Sequence, residues 1–131
     1  MKRVIFLFCL LSQPTIAEDY TWVDQCDTNQ LSMNTCAFEE FKVFDKELNE
    51  LYKIQMEHLR DDGKSKPSLK KAQRAWIKFR NLDCRYMSGD PNDSGSMWSL
   101  TKNKCLTSRT KTRIQELKSF IACRENGCPW F

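Results

Sequence analysis

Residues 72–84 read Ala-Gln-Arg-Ala-Trp-Ile-Lys-Phe-Arg-Asn-Leu-Asp-Cys, and their spacing sets the fold class. Leu69, Ala72, Trp76 and Phe79 recur three and four residues apart, as on one face of a helix. Gln73, Trp76, Arg80 and Cys84 follow the same rhythm and share or adjoin that face. Ser68 is placed to cap this helix, which extends to about Tyr86, with Ile77 and Leu82 off the seam and free to meet a third element. The run Ser88-Gly89-Asp90-Pro91-Asn92-Asp93-Ser94-Gly95 then gives the strongest turn signal in the chain.

Upstream, a longer helix is predicted from about Ser32 to Asp62, with Ser32 and Asn34 as cap candidates. Its stripe is Ala37, Phe41, Phe44, Leu48, Leu51 and Leu59, interrupted by Gln55 and widened by Phe38, Tyr52 and Met56. Asp61-Asp62-Gly63 supplies a stop, and Lys64-Ser65-Lys66-Pro67 the connection. Downstream, a third helix from about Ser96 to Ile121 carries the weaker stripe Leu100, Ile114, Leu117 and Ile121. Short connections make neighbouring helices antiparallel, so the expectation is an all-α, compact three-helix domain with an N-terminal extension, stapled by disulfides.

Composition agrees. The chain has 131 residues with 40% hydrophobic and 29% charged, including 8 Phe and 4 Trp, but only 4 Gly and 4 Pro. That is material for one domain with a core, and neither a two-domain enzyme nor a disordered or collagen-like chain.

The 7 Cys are resolved by the N-terminus. Lys2 and Arg3 precede an apolar run from Val4 to Leu11, and the polar segment Ser12 to Ala17, broken by Pro14, closes it, which reads as a secretory signal over residues 1–17 cleaved after Ala17. The run is far short of the about 20 residues that span a bilayer. Cys9 follows Phe8 rather than a small residue, which argues against a lipidated cysteine. The mature chain, residues 18–131, then holds Cys26, Cys36, Cys84, Cys105, Cys123 and Cys128. An even count in an exported chain reads as three disulfides in an oxidising compartment, periplasmic or secreted. No Cys-x-x-Cys pair occurs and His58 is the only histidine, so zinc and redox-motif chemistry are not indicated. Folding back about residue 92 brings Cys84 beside Cys105; Cys123 and Cys128, both past the end of the third helix, would pair; Cys26 would tie the extension to Cys36. Six cysteines allow many pairings, so this is an expectation from topology.

Charge is polarised. Residues 18–62 hold 12 acidic and 4 basic side chains, residues 63–131 hold 5 acidic and 15 basic, and the mature chain nets about +2. Intramolecular matching of an acidic helix to basic ones is the expected use of this pattern, ahead of a polarised surface that draws a charged partner. Lys70, Lys71, Arg74, Lys78, Arg80 and Arg85, interleaved with Trp76 and Phe79, would suit a phosphate-contacting helix. An exported compartment and the compensating acidic helix argue against nucleic acid.

These residues also carry a family likeness. Met33-Asn34-Thr35-Cys36-Ala37, Asp45, Glu47-Leu48-Asn49-Glu50-Leu51-Tyr52 and the 72–84 string, followed by Gly95-Ser96, Cys105, Arg113 and Leu117, resemble the LprI-like lysozyme inhibitor family over residues 26–120. The resemblance implies an exported helical domain, with Met33, Asn34, Leu48, Asn49, Tyr52, Gln73, Trp76, Arg80 and Arg113 as its marks. Two departures are the tail Cys123-Arg-Glu-Asn-Gly-Cys128-Pro-Trp-Phe and the absence of the lipid anchor of some relatives.

Most of these marks have an architectural reading: Trp76 in the core, Arg80 or Arg74 paired with Asp45 or Glu47, and Cys84 in a bridge. Catalysis finds little support. His58 sits near a helix end, and no Gly-rich phosphate loop or metal triad accompanies the acidic residues. The expectation is a monomeric, non-enzymatic protein without cofactor or membrane span that binds a protein. The resemblance implies steric blockade of a muramidase. The candidate wedge is the Ser88–Ser96 loop with Asp90 and Asp93, and the other candidate is the terminal Pro129-Trp130-Phe131. The alternatives are an immunity or envelope protein that binds another toxin, and an envelope protein with no inhibitory target.

Overall fold

The structure, a computed structural model, describes residues 25–126, with side chains placed through residue 123. The signal segment, the cleavage site, the Cys123–Cys128 pairing and the Trp130 and Phe131 tail therefore lie outside the described residues.

Three helices follow one another: α1 (Gln30–His58), α2 (Ser65–Ser88) and α3 (Met97–Asn126). At 1.5 Å per residue they are about 43, 36 and 45 Å long. The long third helix is the strut. α3 packs along α1 most extensively and takes α2 on another edge, while α1 and α2 barely touch. The all-α, three-helix, disulfide-stapled class is the observed one.

Each helix boundary has a local cause. Asn29, not Ser32 or Asn34, caps α1: its side chain accepts from the Ser32 N–H at 2.9 Å, and Ser32 Oγ accepts from the Asn29 N–H at 3.1 Å. This reciprocal box satisfies two backbone donors that a helix start leaves open. α1 ends at His58 rather than Asp62, because Asp62 serves the next helix. Its Oδ1 accepts the N–H groups of Lys64 at 2.9 Å and Ser65 at 2.7 Å. α2 accordingly starts at Ser65, and Lys64–Pro67 is not simply a connection. Pro67 fits because the first turn's N–H groups have no helical partner to lose. α3 continues to Asn126, past the expected end at Ile121, since nothing before Gly127 breaks it. Cys123 is consequently inside α3, not beyond it.

The apolar centre is Leu48, Ile114 and Leu117, packed around by Phe44, Leu51, Tyr52, Trp76 and Phe120. Fully burying one such leucine contributes about 1.5–3 kcal/mol. Ala37, Leu100 and Leu106 are buried beyond that centre, and much of the remaining interior is polar: Gln55, Gln73, Arg80, Ser88, Asn103, Thr107, Thr110 and Arg113 are all buried. On α3 these polar residues extend the apolar stripe. Leu100, Asn103, Thr107, Thr110, Ile114 and Leu117 alternate three and four apart, and all are buried.

α2 departs most from expectation. Its buried residues are Gln73, Arg80, Cys84 and Ser88. Ala72 and Phe79, expected inside, are exposed, as are Ile77 and Leu82. Phe38 of α1 is likewise exposed rather than part of the core stripe. Among the described residues two disulfides join Cys26 to Cys36 and Cys84 to Cys105, with Cα–Cα distances of 5.6 and 5.5 Å.

Candidate functional site

Where α2 crosses the other two helices, the three- and four-residue spacing of Gln73, Trp76, Arg80 and Cys84 aims all four side chains inward. Arg80 is 6% exposed. Its Nη1 donates to Asp45 Oδ1 on α1 at 2.7 Å and to Thr110 Oγ1 on α3 at 3.1 Å, and its Nε to Asn81 Oδ1 at 3.2 Å. Asp45 is held in turn by Asn49, whose Nδ2 donates to its backbone carbonyl at 2.8 Å. The Arg80 guanidinium stands 5.2 Å from the ring centres of both Trp76 and Phe41.

Arg113 completes the cluster from α3. Its Nε donates to Gln73 Oε1 at 3.1 Å and its Nη1 pairs with Glu116. Its guanidinium lies 5.8 Å from the rings of Trp76 and Phe120. Trp76 is thus in contact with two guanidinium groups, an arrangement that orients the buried cations while Asp45 and Glu116 balance their charge. Arginine stays protonated in proteins and cannot act as a base. The cluster joins three helices, and its carboxylates Asp45 and Glu116 are each paired with an arginine.

One set of metal-type donors among the described residues comes close together, Asp83, Cys84 and Cys105, within 4.8 Å. Both sulfurs are in the disulfide, and Asp83 accepts from Arg109 Nε at 2.8 Å. His58, the other candidate for chemistry, is exposed at the end of α1.

The second feature is the connection between α2 and α3. Asp90 folds the chain on itself: its Oδ1 accepts from the Asn92 N–H at 2.8 Å, and its carbonyl from the Asp93 and Ser94 N–H groups at 3.2 and 3.0 Å. Every helix braces the loop. Asn34 Nδ2 of α1 donates to the Ser96 carbonyl at 2.9 Å, Ser94 Oγ donates to the Ser88 carbonyl at 3.0 Å, and Trp98 Nε1 of α3 donates to the Gly89 carbonyl at 3.0 Å. Gly89 adopts φ +73°, and a Cβ there would meet Ser94 Oγ at 2.9 Å, so only glycine fits without displacement. Asp90 and Asp93 are exposed.

The sequence likeness resolves at this point. The chain matches the profile described as Lysozyme inhibitor LprI over residues 24–117. The chain belongs to the LprI family. It is 31% identical over 109 residues to an uncharacterized protein of Rhizobium meliloti (strain 1021), a match covering 75% of this chain and 78% of that one. It is 27% identical over 106 residues to the uncharacterized protein YecT of Escherichia coli (strain K12), covering 72% and 65%. No solved structure matches it.

The marks of the LprI likeness fall on the architecture just described. Leu48 is in the core, Tyr52 packs on it, and Met33 is half-buried. Asn49 holds Asp45, Asn34 holds the loop, and Gln73, Trp76, Arg80 and Arg113 form the cluster. Asp45, rather than Glu47, is the partner of Arg80; Glu47 pairs with Lys118 at 2.7 Å. Thr110 and Glu116 were not singled out in the sequence. Thr110 had a readable signal, lying four residues before Ile114 and seven before Leu117 on the α3 stripe.

Proposed function

We propose that the mature chain, residues 18–131 after removal of a signal segment ending near Ala17, is an exported, monomeric, non-enzymatic protein. It inhibits a muramidase by placing the Ser88–Ser96 loop in the enzyme's cleft. The carrying observation is membership of the LprI family over residues 24–117. The braced loop supports the choice of surface, since a wedge held by all three helices loses little conformational entropy on docking. Its charge also supports it. From Tyr86 to Thr101 the chain carries Asp90 and Asp93 and no lysine or arginine. This local negative charge suits a cationic lysozyme surface, although the whole mature chain, near +2, gives no long-range attraction.

The test is a titration of mature protein with intact disulfides into turnover assays of animal and bacterial lysozymes. Saturable slowing that weakens several-fold in Asp93→Lys supports the reading. Undiminished turnover at micromolar excess across the set removes it, and leaves an envelope protein directed at another toxin or at none.

A further inference from the structure

α2 is amphipathic in an inverted sense. Its interior face is mostly polar, built from Gln73, Arg80, Cys84 and Ser88 around Trp76, while Ile77, Phe79, Leu82, Tyr86 and Met87 are on the outside. Ala72, Ala75, Phe79, Leu82 and Tyr86 recur three and four residues apart, forming one stripe along the helix. All five are exposed: Phe79 by 54%, Leu82 by 57% and Tyr86 by 86%. Met87, 57% exposed, borders the stripe at its C-terminal end.

Beside the stripe runs a row of cations. Lys71, Lys78 and Arg85 are seven residues apart and exposed, with Lys70 and Arg74 on the same side. None of the five forms an ion pair among the described residues. The matching of charge between helices uses other groups: Arg80 with Asp45, Lys111 with Glu40 and Lys118 with Glu47. The sole carboxylate of α2 is Asp83, and Arg109 neutralises it at 2.8 Å. The outward side of α2 is therefore apolar and purely cationic.

We propose that this face of α2 docks on the surface of an anionic phospholipid bilayer, with Phe79, Leu82 and Tyr86 entering the interface and Lys71, Lys78 and Arg85 meeting the headgroups. A flat, deformable, anionic surface fits a straight helical ridge that offers aromatic and aliphatic side chains beside lysines. The core of a protein–protein interface is depleted in lysine, which disfavours a folded protein as occupant. A second copy fits worse. Two such faces would oppose cation to cation, and the α1 carboxylates Glu40, Asp45 and Glu47 are already paired within the chain. The Cys84–Cys105 bridge holds α2 on α3, so the face is formed before docking.

Mature protein with intact disulfides is sedimented with vesicles of phosphatidylcholine containing roughly one-third phosphatidylglycerol, and with vesicles of phosphatidylcholine alone. The expected result is salt-sensitive partition into the anionic vesicles and none into the neutral ones. The triple variant K71Q/K78Q/R85Q should lower partition by roughly a hundredfold, at about fivefold per cation. F79S/L82S should lower it about tenfold. All five positions are exposed, so unchanged thermal melts verify that the variants fold. Absence of partition into anionic vesicles overturns the proposal, as does partition that neither variant weakens. Since no muramidase is present, the outcome is separate from that of the inhibition assay.

Discussion

Replacing Arg80 by methionine removes a side chain that touches α1 and α3 from α2. Deleting one partner of a buried ion pair costs about 3–5 kcal/mol, because the other charge is left without compensation. Here the partner is less confined: the Asp45 side chain is 34% exposed against 8% for Arg80, so water screens the orphaned carboxylate. That places the electrostatic part near about 2 kcal/mol. Thr110, fully buried, loses a donor to its hydroxyl, which adds about 1 kcal/mol. The aliphatic part of methionine replaces the arginine stem against Trp76 and Phe41, so only the cation–ring attraction is lost there. The expected total is about 3 kcal/mol, a fall in Tm of roughly 12–24 °C for a domain of this size.

The measurement is urea unfolding followed by far-UV circular dichroism, disulfides intact. Asp45→Asn should cost less, about 1–2 kcal/mol, since Arg80 keeps Thr110 and Asn81 as acceptors. The double variant should fall short of the sum by at least about 1 kcal/mol, as coupled neighbours do. Lys111→Met is the control: both side chains of the Lys111–Glu40 pair are more than a third exposed, and its loss should cost below about 1 kcal/mol. An R80M variant within about 1 kcal/mol of the parent, or additivity of the two substitutions, would refute the assignment of Arg80 as the joint of the bundle.

Removing the Cys84–Cys105 bridge as the double alanine variant should lower stability by about 3 kcal/mol, the loop-closure value for a sequence separation of 21; a urea midpoint close to that of the parent contradicts it. The Asp62 carboxyl is held below its ordinary value first by the Ser65 N–H, then by the Ser65 hydroxyl and the Lys64 N–H. Its contribution is present above the unfolded-state value and disappears as pH falls through the lowered folded-state value. Stability measured against pH on the acid side should therefore be shallower in Asp62→Asn, and an unchanged slope counts against the cap. The buried Thr107 Oγ1 has no hydrogen-bond partner among the described residues. Thr107→Val removes an unsatisfied group at nearly constant shape, so thermal melts should show no loss and a gain of up to about 1 kcal/mol; a loss of similar size indicates a partner for the hydroxyl.

The helices and their connections were legible because their signals are local. Periodicity, the Gly89–Gly95 turn chemistry and the short loops suffice to place three helices with α2 antiparallel to α3. The rotation of α2 was not, and the reason is physical. Two three-four repeats run along that helix, Leu69, Ala72, Trp76, Phe79 and Gln73, Trp76, Arg80, Cys84, offset by less than a quarter-turn and sharing Trp76. Burial of apolar surface favours the first. The structure turns the second inward, because Asp45 and Thr110 offer Arg80 its hydrogen bonds and Cys105 offers Cys84 its bond. Those partners lie 35, 30 and 21 residues away in sequence. A reading of one helix at a time has no access to them. The cysteine is the exception: any bridge from Cys84 to α3 already fixes which face of α2 points there.

This rotation bears on what family membership says about function. Of the marks by which the chain is recognised, Gln73, Trp76, Arg80, Cys84 and Arg113 point into the bundle, and Asn34 and Asn49 brace it. Membership therefore reports the fold directly and a target only through the surface that the fold presents. Turning Arg80 and Gln73 inward leaves Phe79, Leu82 and Tyr86 outside, so the same polar cluster that holds the helices together creates the apolar ridge. The acidic loop begins at Gly89, at the C-terminal end of that ridge rather than on its flank. A surface that occupies the flank of α2 leaves Asp90 and Asp93 at its edge, and the two contacts require different residues and opposite charge.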